Sequence, residues 1–286
     1  MKTKLKKLNL GYLALVPFLT VVFLYEILPL IELAVSSLTS GSTGSFTLNN
    51  FIKVFTTPLY QQAILNSLKL SIISALVGIV IAFMAARCQW EAEPKTKRFF
   101  TMILNMTSNF SGVPLAFAFM VLMGNTGVLT LIGKQLGIPF LQNFDLYSGS
   151  GLMMIYIYFQ IPLATLLLIP SFKGIQKEWR EAAVLLKATS YDYWFKIVIP
   201  NLMPSILGTL SVLFANALAA YATAYALVTN NYALLSLQIT SKYKGDVQID
   251  KATGGALAMV LIMLMVIANL ISSRLSKMSA KGKDLL

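Results

Sequence analysis

Six long apolar runs constrain this chain more than any motif: Gly11 to Leu38, Ala63 to Ala86, Phe99 to Gly124, Gly151 to Pro170, Pro204 to Thr229 and Ala256 to Ser273. A helix needs about 20 apolar residues to cross a hydrocarbon core of about 30 Å. These runs are of that order. Of the 286 residues, 57% are hydrophobic and only 12% charged, whereas soluble domains carry about a quarter charged residues. One water-soluble core cannot absorb such a composition. The expectation is an all-α integral membrane fold, with a six-span domain over 11–273, a short N-terminal segment over 1–10 and a tail over 274–286.

Positive charge orients the spans. With the N-terminus inside, the inward segments hold Lys2, Lys4, Lys6 and Lys7, then Arg87, Lys95, Lys97 and Arg98. Lys173, Lys177, Arg180, Lys187 and Lys196 follow, and Arg274, Lys277, Lys281 and Lys283 close the series. Only Lys53, Lys69, Lys134, Lys242, Lys244 and Lys251 fall elsewhere. Lys and Arg stay on the cytoplasmic side during insertion, so both termini are expected there. The net charge of +12 is thus a topology signal; a nucleic-acid footprint would need a basic soluble face with interleaved aromatics.

A Lys-rich start before an apolar run also describes a signal peptide. This run outlasts the usual stretch of about 7–15 residues, and no small-x-small cleavage site follows cleanly, so an uncleaved first helix is expected. Within it stand Glu26 and Glu32, the only carboxylates in any span. A carboxylate at membrane depth is a functional candidate, but both lie in the outer half near Tyr25 and Pro29, within reach of headgroups or a partner chain. The outer loop Thr39 to Gln62 carries Thr47-Leu48-Asn49-Asn50-Phe51, the start of a capped surface helix.

Reactive chemistry is missing. The chain has no histidine and a single cysteine, Cys88, so no Ser/His/Asp or Cys/His arrangement and no intrachain disulfide can form. A phosphate loop fails too: Gly133-Lys134 is present, but Val128 and Gln135 stand where Gly and Ser/Thr are needed. The chain is not expected to be an enzyme. If transport is driven by ATP, the motor is another polypeptide.

One cytoplasmic stretch, within 171–203, departs from the apolar background. From Ile175 to Thr189 it reads IQKEWREAAVLLKAT. Trp179, Ala182, Ala183 and Leu186 share one helical face, with Leu185 at its edge, while Lys177, Arg180, Glu181 and Lys187 lie on the polar side. Thr189-Ser190 breaks the helix and caps a second one, Tyr191 to Val198, which Pro200 is expected to end. On these residues alone the elbow fits protein docking, and a membrane-surface helix stays open.

The segment EAAVLLKATSYDYWFKIVIP resembles the EAA signature of type I ABC-importer permeases: EAA, three residues, Gly-Ala, then Ile-x-Leu-Pro. Glu181, Ala182, Ala183, Ala188, Ile197 and Pro200 match. Lys187 stands at the glycine and Ile199 at the leucine. Lys187 is expected to be accommodated by a more helical backbone or by pointing outward. The likeness extends to the Leu28-Pro29 bend and the closing spans. NFSGVPLAFAFM (Asn109 to Met120) and FANALAAYATAYAL (Phe214 to Leu227) look closer to the polyamine, ferric-iron and thiamine-type branch than to the sugar branch.

The resemblance implies a six-helix permease (type I importer, MetI-like transmembrane domain) in a prokaryotic plasma (inner) membrane. It implies a cytoplasmic ABC ATPase dimer carrying ATP and Mg, a second and different permease chain, and an extracytoplasmic solute-binding protein. This chain itself would bind no cofactor and no metal. In the elbow, Trp179, Ala182, Ala183 and Leu186 would anchor in an ATPase cleft while Arg180, Glu181 and Lys187 pair at its rim, with Ala188 and Pro200 completing the signature. The solute would be of the polyamine, thiamine, ferric-iron or phosphonate type; a sugar-type permease and an ATP-independent secondary transporter are the alternatives.

Polar residues inside apolar spans are the pathway candidates, since polar groups facing lipid are expensive. They are Asn105, Thr107, Ser108, Asn109 and Ser111 before the Gly112-Val113-Pro114 kink, Gln160 beside Pro162, and Asn216, Tyr221, Thr223 and Tyr225. Interhelical hydrogen bonding and small-residue packing explain each of them taken alone, but the clustering of Asn105 to Ser111 beside the Gly-Pro kink shifts that group toward function.

Overall fold

The structure, a computed structural model, describes residues 10–41, 44–229, 231–244 and 249–281. The expected cytoplasmic segment with Lys2, Lys4, Lys6 and Lys7, and Lys283 of the tail, lie outside these residues. In chain order the helices are α1 (Leu10–Val22), α2 (Leu28–Ser37), α3 (Asn49–Thr56), α4 (Pro58–Glu91), α5 (Pro94–Ser108), α6 (Gly112–Met123), α7 (Val128–Leu136) and α8 (Pro139–Gln142). They continue as α9 (Gly149–Phe172), α10 (Lys177–Leu185), α11 (Ser190–Asp192), α12 (Ile199–Ala219), α13 (Ala222–Val228), α14 (Leu235–Lys244) and α15 (Lys251–Lys281). π-helical turns join α1 to α2 (Phe23–Ile27) and α11 to α12 (Tyr193–Val198).

Among the described residues, six stretches are long and apolar enough to cross a membrane: Leu15–Ser37, Pro58–Glu91, Gly112–Leu136, Gly149–Phe172, Ser190–Ala219 and Lys251–Met278. Two differ from the sequence expectation. The third falls C-terminal to 99–124, because the helix breaks at Asn109–Ser111 and the polar α5 lowers the average before it. The fifth begins at Ser190, because Pro200 does not end the elbow's second helix. Ile199 N–H bonds back to Trp194 O, a wider π turn that bypasses the amide proton Pro200 lacks. Pro29 follows the same rule: Leu28 N–H reaches Phe23 O in the π turn before it.

The chain forms two compact units. The first comprises Met1–Thr57 and Ile239–Val260. Its first span buries none of its apolar window, and Glu26 and Glu32 are exposed. Asn50 Nδ2 donates to the carbonyls of Ser37 (2.9 Å) and Thr39 (3.0 Å), pinning α3 to the end of α2. Thr47 Oγ1 accepts from Asn49 N–H at 3.1 Å, which caps α3. Lys53 Nζ lies 2.9 Å from Asp250 Oδ2, and Asp250 Oδ1 accepts from Thr253 N–H at 3.0 Å at the start of α15. Burial pushes the Asp250 carboxyl up, but hydrogen bonds from Thr253 and Lys53 outweigh it and hold the pKa at about 2.

The second unit comprises Pro58–Gln238 and Leu261–Leu286. Its centre is α4 against α9, with α12 packed on both. The buried stripe of α4 includes Ala63, Ser67, Ser71, Ser74, Gly78, Ala82 and Ala86. Small side chains at i, i+4 spacing let helix backbones approach without a hydrophobic drive, which lipid tails cannot supply. A Cβ on Gly78 would lie 3.0 Å from Gln160 Cβ, so glycine sets the α4–α9 separation. Two apolar clusters fill the unit. One gathers Leu115, Tyr156, Phe159, Ala217 and Leu234; the other gathers Ala82, Phe172, Ala183, Tyr193 and Trp194 near the elbow.

Candidate functional site

The elbow is built between α9 and α12. α9 ends at Phe172, and Ile175 N–H bonds to Phe172 O at 3.2 Å, turning the chain into α10. α10 closes with two bonds: Ala188 N–H to Ala183 O (2.9 Å) and Lys187 N–H to Val184 O (3.0 Å). This is the Schellman pattern, whose C′ residue is left-handed and usually glycine. Lys187 occupies it with φ +52°. Of the two expected accommodations, the more helical backbone is not the one found: the hydrogen bonds demand the glycine conformation, lysine adopts it, and its side chain is exposed. Thr189 then caps α11 in a reciprocal box with Asp192, and Lys196 Nζ sits 2.6 Å from Asp192 Oδ1.

The apolar face of α10 is divided, which corrects the expectation of one outward anchor. Trp179 and Ala183 pack into the chain's own cluster with Trp90, Tyr193 and Trp194, and Ala188 leans on the same cluster. Ala182 and Leu186 face outward. Beside them Leu185 is 84% and Leu186 81% exposed, with Val184 also exposed. Burial of such a side chain is worth about 1.5–3 kcal/mol, so covering this aliphatic tip would be favourable. Arg180, Glu181 and Lys187 are exposed around it. A crevice of about 640 Å³ runs alongside, lined by Trp90, Lys177, Arg180, Glu181, Leu185 and Tyr193. Pro200 lies in the first turn of α12.

Sequence reasoning missed the group beneath the elbow. Phe83, Arg87 and Trp90 share one face of α4 at i, i+4, i+7 spacing. The Arg87 guanidinium carbon lies 4.0 Å from the Trp194 ring centroid. Phe83 and Trp90 meet the same indole edge-on, at 6.4 and 6.5 Å. A cation placed between aromatics on a helix face was the available signal.

The pathway candidates separate into three groups. Ser108, Ser111, Asn216, Tyr221 and Thr223 converge on a cavity of about 360 Å³ with Phe159 at its wall. Two helix breaks make it: Asn109–Ser111 before α6, where Gly112 has φ +71°, and Ala220–Tyr221 between α12 and α13. Thr223 Oγ1 donates to Gly112 O at 3.2 Å and holds the breaks together. Gln160 is not there. It is fully buried, with Nε2 donating to Leu213 O at 2.9 Å, so it belongs to the α4–α9–α12 packing. Asn105 and Asn109 also stay apart from the cavity: Asn109 Nδ2 donates to Asn105 O at 2.8 Å and caps the end of α5.

The profile of the family described as "Binding-protein-dependent transport system inner membrane component" matches residues 78–283. The chain is 24% identical to the spermidine/putrescine transport system permease protein PotC of Shigella flexneri, over 93% of this chain and 96% of that protein. It is 23% identical to the trehalose transport system permease protein SugB of Mycobacterium tuberculosis, over 85% and 86%. A crystal structure of a bacterial alginate ABC transporter, in complex with an alginate pentasaccharide-bound periplasmic protein, has a chain that superposes with a TM-score of 0.71 at 20% identity, over 94% of this chain and 95% of that one.

Proposed function

The chain belongs to the family of binding-protein-dependent transport system inner membrane components, and we propose that its elbow takes up the motion of a separate cytoplasmic ATPase. It is a multi-pass permease subunit of an ABC importer. The observation that carries the proposal is the exposed tip Val184-Leu185-Leu186, mounted on a helix whose opposite side is fastened to the chain's own core. In this reading ATP and Mg reside on the ATPase, a second permease completes the pathway, and an extracytoplasmic binding protein delivers solute; the alginate transporter's periplasmic protein supports that kind of partner. The elbow end also carries Arg87, Lys95, Lys97, Arg98, Lys173, Lys177 and Arg180, a concentration of positive charge that supports a cytoplasmic elbow and cytoplasmic termini.

The test is direct. Leu185→Glu with Leu186→Glu abolishes ATPase co-purification while the permease remains inserted at wild-type levels. Retained ATPase in that variant, or labelling of the elbow from the outer face, defeats the proposal.

The pathway runs past Ser111, Asn216 and Tyr221. The branch resemblance and PotC favour a polyamine, thiamine, ferric-iron or phosphonate-type solute. A sugar-type solute is the second reading, favoured by the cavity lining: hydroxyls, one amide and aromatic rings, with no Asp or Glu among them.

A further inference from the structure

Trp194 is an odd residue to find at the root of a water-facing elbow. It is 9% exposed, lies on the π turn Tyr193–Val198, and is enclosed by α4: Arg87 over its face, Phe83 and Trp90 packed against it in T-shaped pairs. Phe83 also meets Phe172 at the end of α9, with ring centroids 5.3 Å apart. The elbow is therefore held at its root by α4, a helix other than the α12 into which its own backbone continues, and α4 is packed in turn on the end of α9. The other partner of Arg87 is Glu91, at 3.4 Å, with both side chains about half exposed; such a surface pair contributes little. The contact with Trp194 joins two elements that lie far apart in sequence.

We propose that Arg87 is a positioning residue: its guanidinium, seated on the Trp194 ring, fixes the root of the elbow to α4, so that displacement of the elbow moves α4 and, through the Gly78–Gln160 seam, α9. Without it the lateral hold on Trp194 is reduced to the ring contacts of Phe83 and Trp90. A π turn interrupts the regular i→i−4 ladder of the helix, and such bulges recur at functional sites. Force applied at Leu185 and Leu186 would be absorbed at Tyr193–Val198 unless the turn were clamped from the side. The ring of Trp194 offers a flat face that a guanidinium covers well. The inference rests on the elbow docking an ATPase.

The experiment uses the whole complex, purified with its ATPase. In a Cys88→Ser background, Ser111→Cys places a thiol in the cavity, and its reaction rate with a membrane-impermeant maleimide is compared in the resting complex and in the complex trapped with ATP and vanadate. The reference protein changes its rate between the two states. Arg87→Gln shrinks that change at least about fivefold, the scale of one cation–π contact, while ATPase co-purification and basal ATP hydrolysis stay at reference levels. Arg87→Lys, which keeps a cation over the ring, restores most of the change, and Glu91→Gln leaves it intact. A full rate change in Arg87→Gln overturns the clamp alone. So does an Arg87→Lys variant no better than Arg87→Gln, or a Glu91→Gln variant equally impaired. A reference complex that loses its ATPase, or shows no rate change, overturns the docking proposal beneath it.

Discussion

The amide of Ala188 reaches the carbonyl of Ala183 at 2.9 Å, and the bond closes because Lys187, between them, turns left-handed at φ +52°. A left-handed residue with a Cβ costs roughly 1–2 kcal/mol. The chain tolerates this at the position where the EAA signature carries glycine.

Lys187→Gly removes that cost. The purified permease gains about 1 kcal/mol, read as a higher unfolding midpoint, with ATPase docking retained. Lys187→Val loses stability, since a β-branched residue is worst placed at positive φ.

Neighbouring alanines respond oppositely. Ala182 faces outward and Ala183 is 4% exposed in the elbow cluster. Ala182→Trp leaves the isolated permease as stable as wild type and weakens ATPase co-purification. Ala183→Trp destabilises the permease itself by about 1–3 kcal/mol or more, the cost of overpacking. Thermal unfolding of the permease alone, set beside co-purification, separates the two.

The α4–α9 seam gives a second contrast. Gly78→Val forces a side chain against Gln160 Cβ, already 3.0 Å from where the first new carbon would sit, and lowers the yield of assembled complex. Gln160→Leu loses the hydrogen bonds of Nε2 to Leu213 O and, at 3.5 Å, Ser74 Oγ, but also removes Oε1, a buried acceptor with no partner among the described residues. Its stability changes by less than about 1 kcal/mol, and transport per assembled complex is unchanged.

Within the cavity, Ser111→Leu and Asn216→Leu lower transport per assembled complex. Asn105→Leu, outside it, does not. Equal specific rates in all three remove the cavity from the route.

The Lys53–Asp250 tie is insensitive to ordinary pH. Because the folded pKa of Asp250 lies near 2, below the usual value of about 3.9, its stabilisation is fully present above pH ~4 and is lost as pH falls towards 2. The difference in unfolding temperature between wild type and Asp250→Asn is constant from pH 8 to 5 and narrows only below about 4.

The six spans were legible because hydropathy alone decides them. The elbow's break was equally plain, since Thr189-Ser190-Tyr191-Asp192 carries its own cap. What the helical period could not show was the neighbour of each face. Trp179 and Ala183 read as an exposed anchor because Trp90 and Trp194, from distant segments, were not known to cover them. Gln160 resembled a pathway residue for the same reason: a polar side chain in an apolar run looks alike whether it meets solute or a helix carbonyl. The break before α6 was announced by the Gly112-Val113-Pro114 kink, whereas the one at Ala220–Tyr221 was hidden because Ala and Tyr do not mark a helix end as Pro or Gly does. Pro200 misled in the opposite direction, since a π turn accommodates it.

Trp90, Trp179 and Trp194 are the only tryptophans in the chain, and all three belong to the elbow's packing. The membrane spans carry many other rings, but none of them emits at the long wavelengths of indole. The ultraviolet emission of this subunit is therefore a spectrum of its elbow, and a nucleotide-dependent shift, recorded with tryptophan-free partners, would follow that joint in real time without any added dye.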